Sequence, residues 1–361
     1  MKILHIHPTL ESGGIEAMIC NLSNESINRH HVEFCSIFEN KEEHIFLQKL
    51  DKRINVHSLH KINPGVELSI LWKIFCFFKK GNYDVIHIHG FFYYYFIAIF
   101  LLHRQCNFFY TVHSDAVMEN TRWDKRLLFL KKYCFRKGWI HPITISKMSK
   151  QSFDKLYGIN SHMIYNGTPK PVIKKIDLSE YRCTPNTKIF FHPGRISLAK
   201  NQEMLCKVFS ELINEGHDVV LLIAGQNQDK DIYNNISTFF SNRIIYMGER
   251  NDVRSIMASS DAFCLSSIWE GMPVTLLEAL SVGCIPVCTP VGGIPEVIEH
   301  GISGFLSKTN KEQDYYLVLK EFLAMSAEDL IIMKEKVRDN FKKFDIHTTA
   351  LEYERYYQVY I

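Results

Sequence analysis

Two carboxylates, Glu270 and Glu278, frame the stretch SIWEGMPVTLLEAL at positions 267–280, between the apolar runs DAFCLSS and GCIPVCT. A solvent-facing helix explains one of them. It does not explain a second Glu in the preceding loop, with Gly-Met-Pro as the entry to the helix. Pro273 suits a first helical turn, where its missing N–H costs nothing. The amides of Val274, Thr275 and Leu276 would then form an anion site reinforced by the helix dipole. Glu278, about one turn in, could accept hydrogen bonds from neighbouring hydroxyls such as a ribose diol. Glu270, on the other side of the anion, could hold sugar hydroxyls. The spacing therefore fits a phosphorylated sugar, and it equally fits a capped helix with two solvated carboxylates.

A second segment, HPGRISLAKNQEML, places Gly194 and Arg195 at the end of a strand and Lys200 at the start of a helix. A diphosphate beside two carboxylates needs compensating cations, and Arg195 and Lys200 would supply them. Two basic residues at this spacing are often plain surface charge. Their position at a strand end in the same half favours the anion reading.

The elements that must position these groups alternate along the whole chain. Short β-rich runs at 2–7, 31–38, 54–59, 83–87, 107–112, 140–145 and 162–165 are separated by helical patterns. A second series follows at 188–192, 218–224, 243–247, 262–265, 284–288 and 304–306. Such alternation predicts α/β architecture, with parallel sheets covered by helices on both faces. At 361 residues two domains are expected. We read residues 1–168 and 188–345 as two Rossmann-like domains facing across a cleft, joined by a Pro-containing linker at 169–187. The Tyr-rich last helix, 346–361, is expected to pack back on the first domain. Ligands of open parallel sheets sit at the carboxyl ends of the strands, where these motifs cluster.

Hydrophobic content of 46% with 22% charged residues is ordinary globular composition. The ten cysteines include no CxxC pair, the start MKILHIHP does not read as a signal peptide, and the apolar run FFYYYFIAIFLL is too short to span a bilayer. Reduced thiols in a cytoplasmic protein are expected. Residues 1–170 carry 22 Lys/Arg against 14 Asp/Glu, or +8, and residues 171–361 carry 20 against 25, or −5. That polarity turns the first half towards an anionic surface.

GR-x4-KN, EGMPVTLLEAL, GCIPV, VGGIPEVI and GISGFL, together with SGGIE, YDVIHIHG, TVHSD, ITISK and IYNG earlier in the chain, resemble the retaining glycosyltransferases of family 4, with the GT-B fold. The resemblance runs in order over nearly the whole length. AGQNQD departs from it, since the family often has Gly-Asp/Glu-Gly there. It implies a transferase that moves a sugar with retention from a nucleotide-diphosphate sugar, UDP- or GDP-linked, without cofactor or metal. Glu278 would bind the ribose and Glu270 the transferred sugar. Arg195 and Lys200 would stabilise the departing diphosphate. Gly194, Gly271, Met272, Pro273, Val274 and Thr275 would complete the donor site. Gly13 and Gly14 would let the first-domain loop approach the phosphate closely, although they also suit a plain loop before a helix. His113 of TVHSD would lie against the reacting sugar, a catalytic position, while Asp115 and Glu16 would serve the acceptor. The implied acceptor is a glycan or lipid-linked glycan of surface polysaccharide synthesis, and no nucleic-acid partner is expected.

His5, His7, His87 and His89 lack acidic or Cys companions and are not expected to bind metal. Asp229 and Asp231 in DKD match a metal-binding Asp-x-Asp, but more simply start a helix. TRWDKRLLFLKKYCFRKGW, residues 121–139, carries seven Lys/Arg and one Asp among aromatic and aliphatic residues. It reads as one amphipathic helix, suited either to water or to an anionic lipid surface. The enzyme is accordingly expected in the cytoplasm, peripheral to the inner face of the membrane. A nucleotide-sugar 2-epimerase of the same architecture and a non-catalytic sugar-nucleotide scaffold are the alternatives.

Overall fold

A computed structural model describes every residue except Ser12, Glu42, Glu43, Pro64, Val66 and Lys175, so Ser12 of SGGIE lies outside the described residues. The chain divides into two compact units, Met1–Thr168 with Asp345–Ile361, and Pro169–Phe344.

The strands of unit 1 are β1 (Lys2–His7), β2 (His31–Phe38), β3 (Asn55–Lys61), β4 (Val85–His89), β5 (Asn107–Val112), β6 (Ile140–Thr144) and β7 (His162–Met163). They form one sheet in the order β3-β2-β1-β4-β5-β6-β7, parallel throughout. Parallel strands covered on both faces read as continuous apolar runs, and Val85–His89 is buried along its whole length. One face carries a core of Ile86, Ile88, Phe108, Tyr110 and Phe78. On the other, the helix Ile346–Gln358 brings Tyr353 and Tyr357 over the sheet, and Arg29 joins Glu354 at 2.7 Å.

Unit 2 contains β8 (Lys188–Pro193), β9 (Val219–Ala224), β10 (Ile244–Tyr246), β11 (Ala262–Leu265), β12 (Ile285–Cys288) and β13 (Phe305–Leu306), in the order β10-β9-β8-β11-β12-β13, again all parallel. The expected strands are all present, with ends displaced by no more than two residues. Each sheet reverses its order once, at β1/β4 and at β8/β11. Ligands of doubly wound sheets collect at such points, beyond the carboxyl ends of the strands.

Two expectations are corrected. The stretch 169–187 is not a bare connection. Ile176 N–H bonds Ser259, Arg182 pairs with Asp261 at 3.2 Å, and Thr187 bonds Asp218, so these residues belong to unit 2. The basic stretch 121–139 is two helices, Arg122–Arg126 and Leu128–Arg136, broken at Leu127. Asp124 is fully buried, its carboxylate taking the hydroxyl of Thr121 and the amide of Tyr93. Lys131 is buried too, donating to Tyr110 Oη and Asn120 Oδ1 at 3.1 and 3.0 Å. No described helix is long and apolar enough to cross a membrane.

Candidate functional site

The opening carboxylates lie in unit 2, around the β8/β11 reversal. The helix Val274–Val282 buries Val274, Leu276, Leu277, Ala279 and Leu280 and leaves Thr275 and Glu278, three residues apart, on its half-buried face. Gly283, left-handed at φ 73°, stops it by returning its N–H to the helix. Its entry differs from expectation. Pro273 is the cap rather than a helical residue, and Leu276 N–H turns back to Pro273 O at 3.1 Å. The anion-facing amides are therefore Val274 and Thr275, which have no acceptor among the described residues. Thr275 Oγ1 is buried without a partner as well. A buried hydroxyl left unpaired is costly, and an anion at this helix start would satisfy it.

Glu270 is held by two groups the chain brings from different distances. Lys200 Nζ reaches Glu270 Oε1 at 2.6 Å from 70 residues away, and Ser267 Oγ reaches the same oxygen at 2.6 Å. Lys200 ends a short 3-10 turn, and the left-handed Asn201 redirects the chain into the helix Gln202–Asn214. The loop of Glu270 is fixed by Ile268 N–H to Ala199 O and by Thr289 Oγ1 to Ser267 O. Gly292, at φ 61°, lies so close that a Cβ there would sit 2.3 Å from Glu270 O. Only glycine fits that crossing without moving the carboxylate.

Arg195 is exposed at the end of β8, beside Gly194, and its carbonyl is held by Gln202 Nε2 at 2.8 Å. His192 lies beneath, bonded to Cys264 O and Gln202. Burial lowers its pKa to about 4 and keeps it neutral. Gly225 packs on this loop, where a Cβ would meet Gly194 O at 2.1 Å. Glu278 has a partner that sequence reasoning missed. Arg254 Nη2 and Nε approach its Oε1 at 2.9 and 3.1 Å, and Arg254 Nη1 donates to Pro169 O at 3.4 Å. Only the tertiary fold joins these residues. Gly194, Arg195, Lys200, Glu270, Gly271, Met272, Pro273, Val274, Thr275 and Glu278 thus fall into one region of unit 2, two cations and two carboxylates around a helix start. That arrangement can bind a diphosphate flanked by hydroxyl-bearing groups.

In unit 1 the corresponding strand ends carry histidines. His113 follows β5. Its backbone N–H donates to Glu119 Oε2 at 2.7 Å, and its Nε2 lies 3.0 Å from His89 Nδ1. Burial drives its pKa down to about 3. Asp115 Oδ1 accepts the amides of Val117 and Met118, so that oxygen serves a turn. Gly13 precedes the helix Gly14–Ser26, and a Cβ on it would meet Glu16 Oε2 at 2.5 Å. The Glu16 carboxylate therefore folds back over Gly13, on the side of His7, whose charged form it favours against burial. Nitrogens of His5, His87 and His89 lie within 4.8 Å of one another, the one metal-sized group among the described residues. Both nitrogens of His87 and of His89 are already in hydrogen bonds, however. Asp229 Oδ1 caps the helix Lys230–Ser237 through the amides of Asp231 and Ile232.

Residues 12–169 match the family model Glycosyltransferase Family 4, and residues 175–343 match Glycosyl transferases group 1. The N-acetyl-alpha-D-glucosaminyl L-malate synthase of Bacillus anthracis is 26% identical over 54% of this chain and 52% of its own length, so the chain spans about half of that relative. The Escherichia coli UDP-Gal:alpha-D-GlcNAc-diphosphoundecaprenol alpha-1,3-galactosyltransferase is 25% identical over 68% of this chain and 67% of its own. Among solved structures, Anabaena Alr3699/HepE in complex with UDP and glucose superposes with a TM-score of 0.81 at 18% identity, covering 99% of both chains. At that identity the likeness speaks for the fold.

Proposed function

We propose, for a chain that belongs to the GT-B glycosyltransferases, that it transfers a sugar from a nucleotide-diphosphate sugar to a glycan or lipid-linked glycan with retention and without a metal. The observation that carries this reading is the Lys200–Glu270 pair beside the uncapped start of Val274–Val282, with Arg195 exposed at the end of β8 and Glu278 one turn along. The diphosphate would take the amides of Val274 and Thr275 together with Arg195 and Lys200. The ribose would fall to Glu278 and the sugar hydroxyls to Glu270.

The C1–oxygen bond of the donor breaks with its electron pair going to the diphosphate. The acceptor hydroxyl oxygen bonds C1 on the same face, and its proton passes to the departing phosphate oxygen. Catalysis then rests on positioning and on charge stabilisation of the leaving group. By the resemblance, His113 would contact the transferred sugar, and Asp115 and Glu16 would serve the acceptor. Support for a UDP-linked donor and a lipid-linked acceptor comes from the names of the relatives that share the family.

Unit 1 also offers a surface suited to an anionic membrane. Trp123 and Phe129 are exposed beside Lys125, Arg126, Lys132 and Lys137, with Phe129 at 78%. Basic residues near anionic lipid add about 1 kcal/mol each. Lys131 is not among them, and Leu127, Leu128 and Leu130 pack inwards. Lipid contact would therefore fall to the exposed rings of Trp123, Phe129 and Tyr133. The test is a panel of UDP- and GDP-sugars, screened by binding and slow hydrolysis, with the anomer of the released sugar read by NMR. Retained configuration supports the reading. Inverted product, or isomerised sugar nucleotide without transfer, overturns it.

A further inference from the structure

The carboxyl ends of β1, β4 and β5 set three imidazoles in a row. His5 Nδ1 lies 3.1 Å from His89 Nε2, and His89 Nδ1 lies 3.0 Å from His113 Nε2. Register explains the alignment. His5 stands opposite His87 across β1 and β4, and His87 and His89 alternate onto one face of β4. The same face is covered by Ile346–Gln358, whose Tyr357 Oη closes on His87 Nδ1 at 2.6 Å. All three rings of the row are buried. Desolvation holds His5 near 3 and His89 well below the usual imidazole range, so each ring is neutral and carries one N–H.

In a ring-to-ring hydrogen bond one nitrogen must donate and the other accept. Three neutral rings in series therefore share a single choice of direction. His5 Nε2, at the inner end, is buried without a partner among the described residues. If His113 donated inward, that atom would be an N–H with no acceptor. If His5 donates outward, it is a bare lone pair. Orphaned buried N–H groups are the rarer of the two. Outward donation leaves His113 with its proton on Nδ1, which has no hydrogen-bond partner among the described residues but, unlike His5 Nε2, is not sealed from solvent.

We infer that His89, backed by His5, is a positioning residue that fixes His113 in the Nδ1–H tautomer, so that unit 1 offers the substrate a hydrogen-bond donor there. Which nitrogen of a histidine carries the proton is set by the bond its other nitrogen makes. Glu119 completes the arrangement by holding the backbone N–H of His113 at 2.7 Å, and Tyr110 Oη in turn donates to Glu119 at 3.0 Å. The inference rests on the proposed contact of His113 with the sugar, but the tautomer itself is measurable without any substrate.

The experiment is a long-range proton–nitrogen correlation on the full chain with labelled histidines, His113 being assigned from His113→Gln. Wild type should show His113 and His89 each protonated on Nδ1 alone. His89→Phe should leave His113 a mixture and lower kcat about 3- to 10-fold, the cost of one neutral hydrogen bond, with the donor KM unchanged. His89→Asn keeps a donor where Nδ1 stands and should restore both. An Nε2–H tautomer of His113 in the wild type overturns the inference even if no variant folds. So does an unchanged tautomer in His89→Phe, or one equivalent of bound zinc by elemental analysis. A tautomer that responds to His89 while turnover does not would overturn the positioning role together with the substrate contact of His113. Failure of the sugar-nucleotide screen alone would instead strike the proposed function.

Discussion

Replacing Lys200 by Met separates what the ion pair does for the fold from what the cation does for chemistry. Lys200 Nζ and Glu270 Oε1 are 2.6 Å apart, with side chains 19% and 12% exposed. At an effective dielectric of about 20, their attraction is about 6 kcal/mol before desolvation. Removing one partner leaves the other charge poorly compensated, which costs about 3 kcal/mol for a largely buried pair. Ser267 alone remains on that carboxylate oxygen. Unit 2, Pro169–Phe344, is of a size for which each 1 kcal/mol moves the melting midpoint by roughly 2–4 °C. Lys200→Met should therefore lower the unit 2 transition by roughly 6–12 °C in calorimetry without nucleotide. The double variant Lys200→Met/Glu270→Gln should regain most of that loss, because neither charge is stranded. Its turnover should nevertheless stay more than about 100-fold below wild type, roughly what one preorganised charge contact contributes. A single variant that melts with the wild type would refute the energetic argument. A double variant with restored turnover would refute the role of the cation.

Glu278→Ala should weaken UDP binding by about 10-fold or more with little change in kcat, and Arg254→Ala should follow it through loss of the pair; Glu270→Ala should lower kcat as well. Titration calorimetry beside steady-state kinetics checks this, and equal, purely binding effects would reverse the assignment. Transfer should persist in excess chelator, since Asp229 is committed to its helix cap; loss restored by magnesium or manganese would point to a metal. Burial would raise the pKa of Glu33, but hydrogen bonds from Tyr83, His31, His57 and Lys2 outweigh it and bring it down to about 2. Its stabilisation is thus complete above the unfolded value near 4.5 and is lost as pH falls through about 2. Glu33→Gln should cost about 2 kcal/mol at neutral pH and flatten the acid limb of a pH–stability curve. Changing Lys125, Arg126, Lys132 and Lys137 to Glu should abolish co-sedimentation with anionic vesicles at low salt. Equal binding to neutral lipid would leave this face as ordinary surface.

Local pattern was enough for the architecture. Alternation of short apolar runs with helical segments placed the strands of both sheets to within two residues, because strand and helix periodicity is written between near neighbours. The Gly-Met-Pro entry likewise marked one helix start, and DKD marked the cap of another, Lys230–Ser237. What the residues face was decided elsewhere. Lys131 looked like one of seven surface cations, yet Tyr110 and Asn120 draw it inside, because its helix breaks at Leu127 and packs on β5 and its neighbours. Glu278 looked unaccompanied until Arg254, 24 residues away, closed on it. Five histidines looked like separate strand ends, and parallel register aligned three of them into one hydrogen-bonded row. Sequence spacing fixes which face of its own element a side chain occupies. Which partner meets it there depends on how distant strands pair and on how helices seat against them, and no local period carries that information.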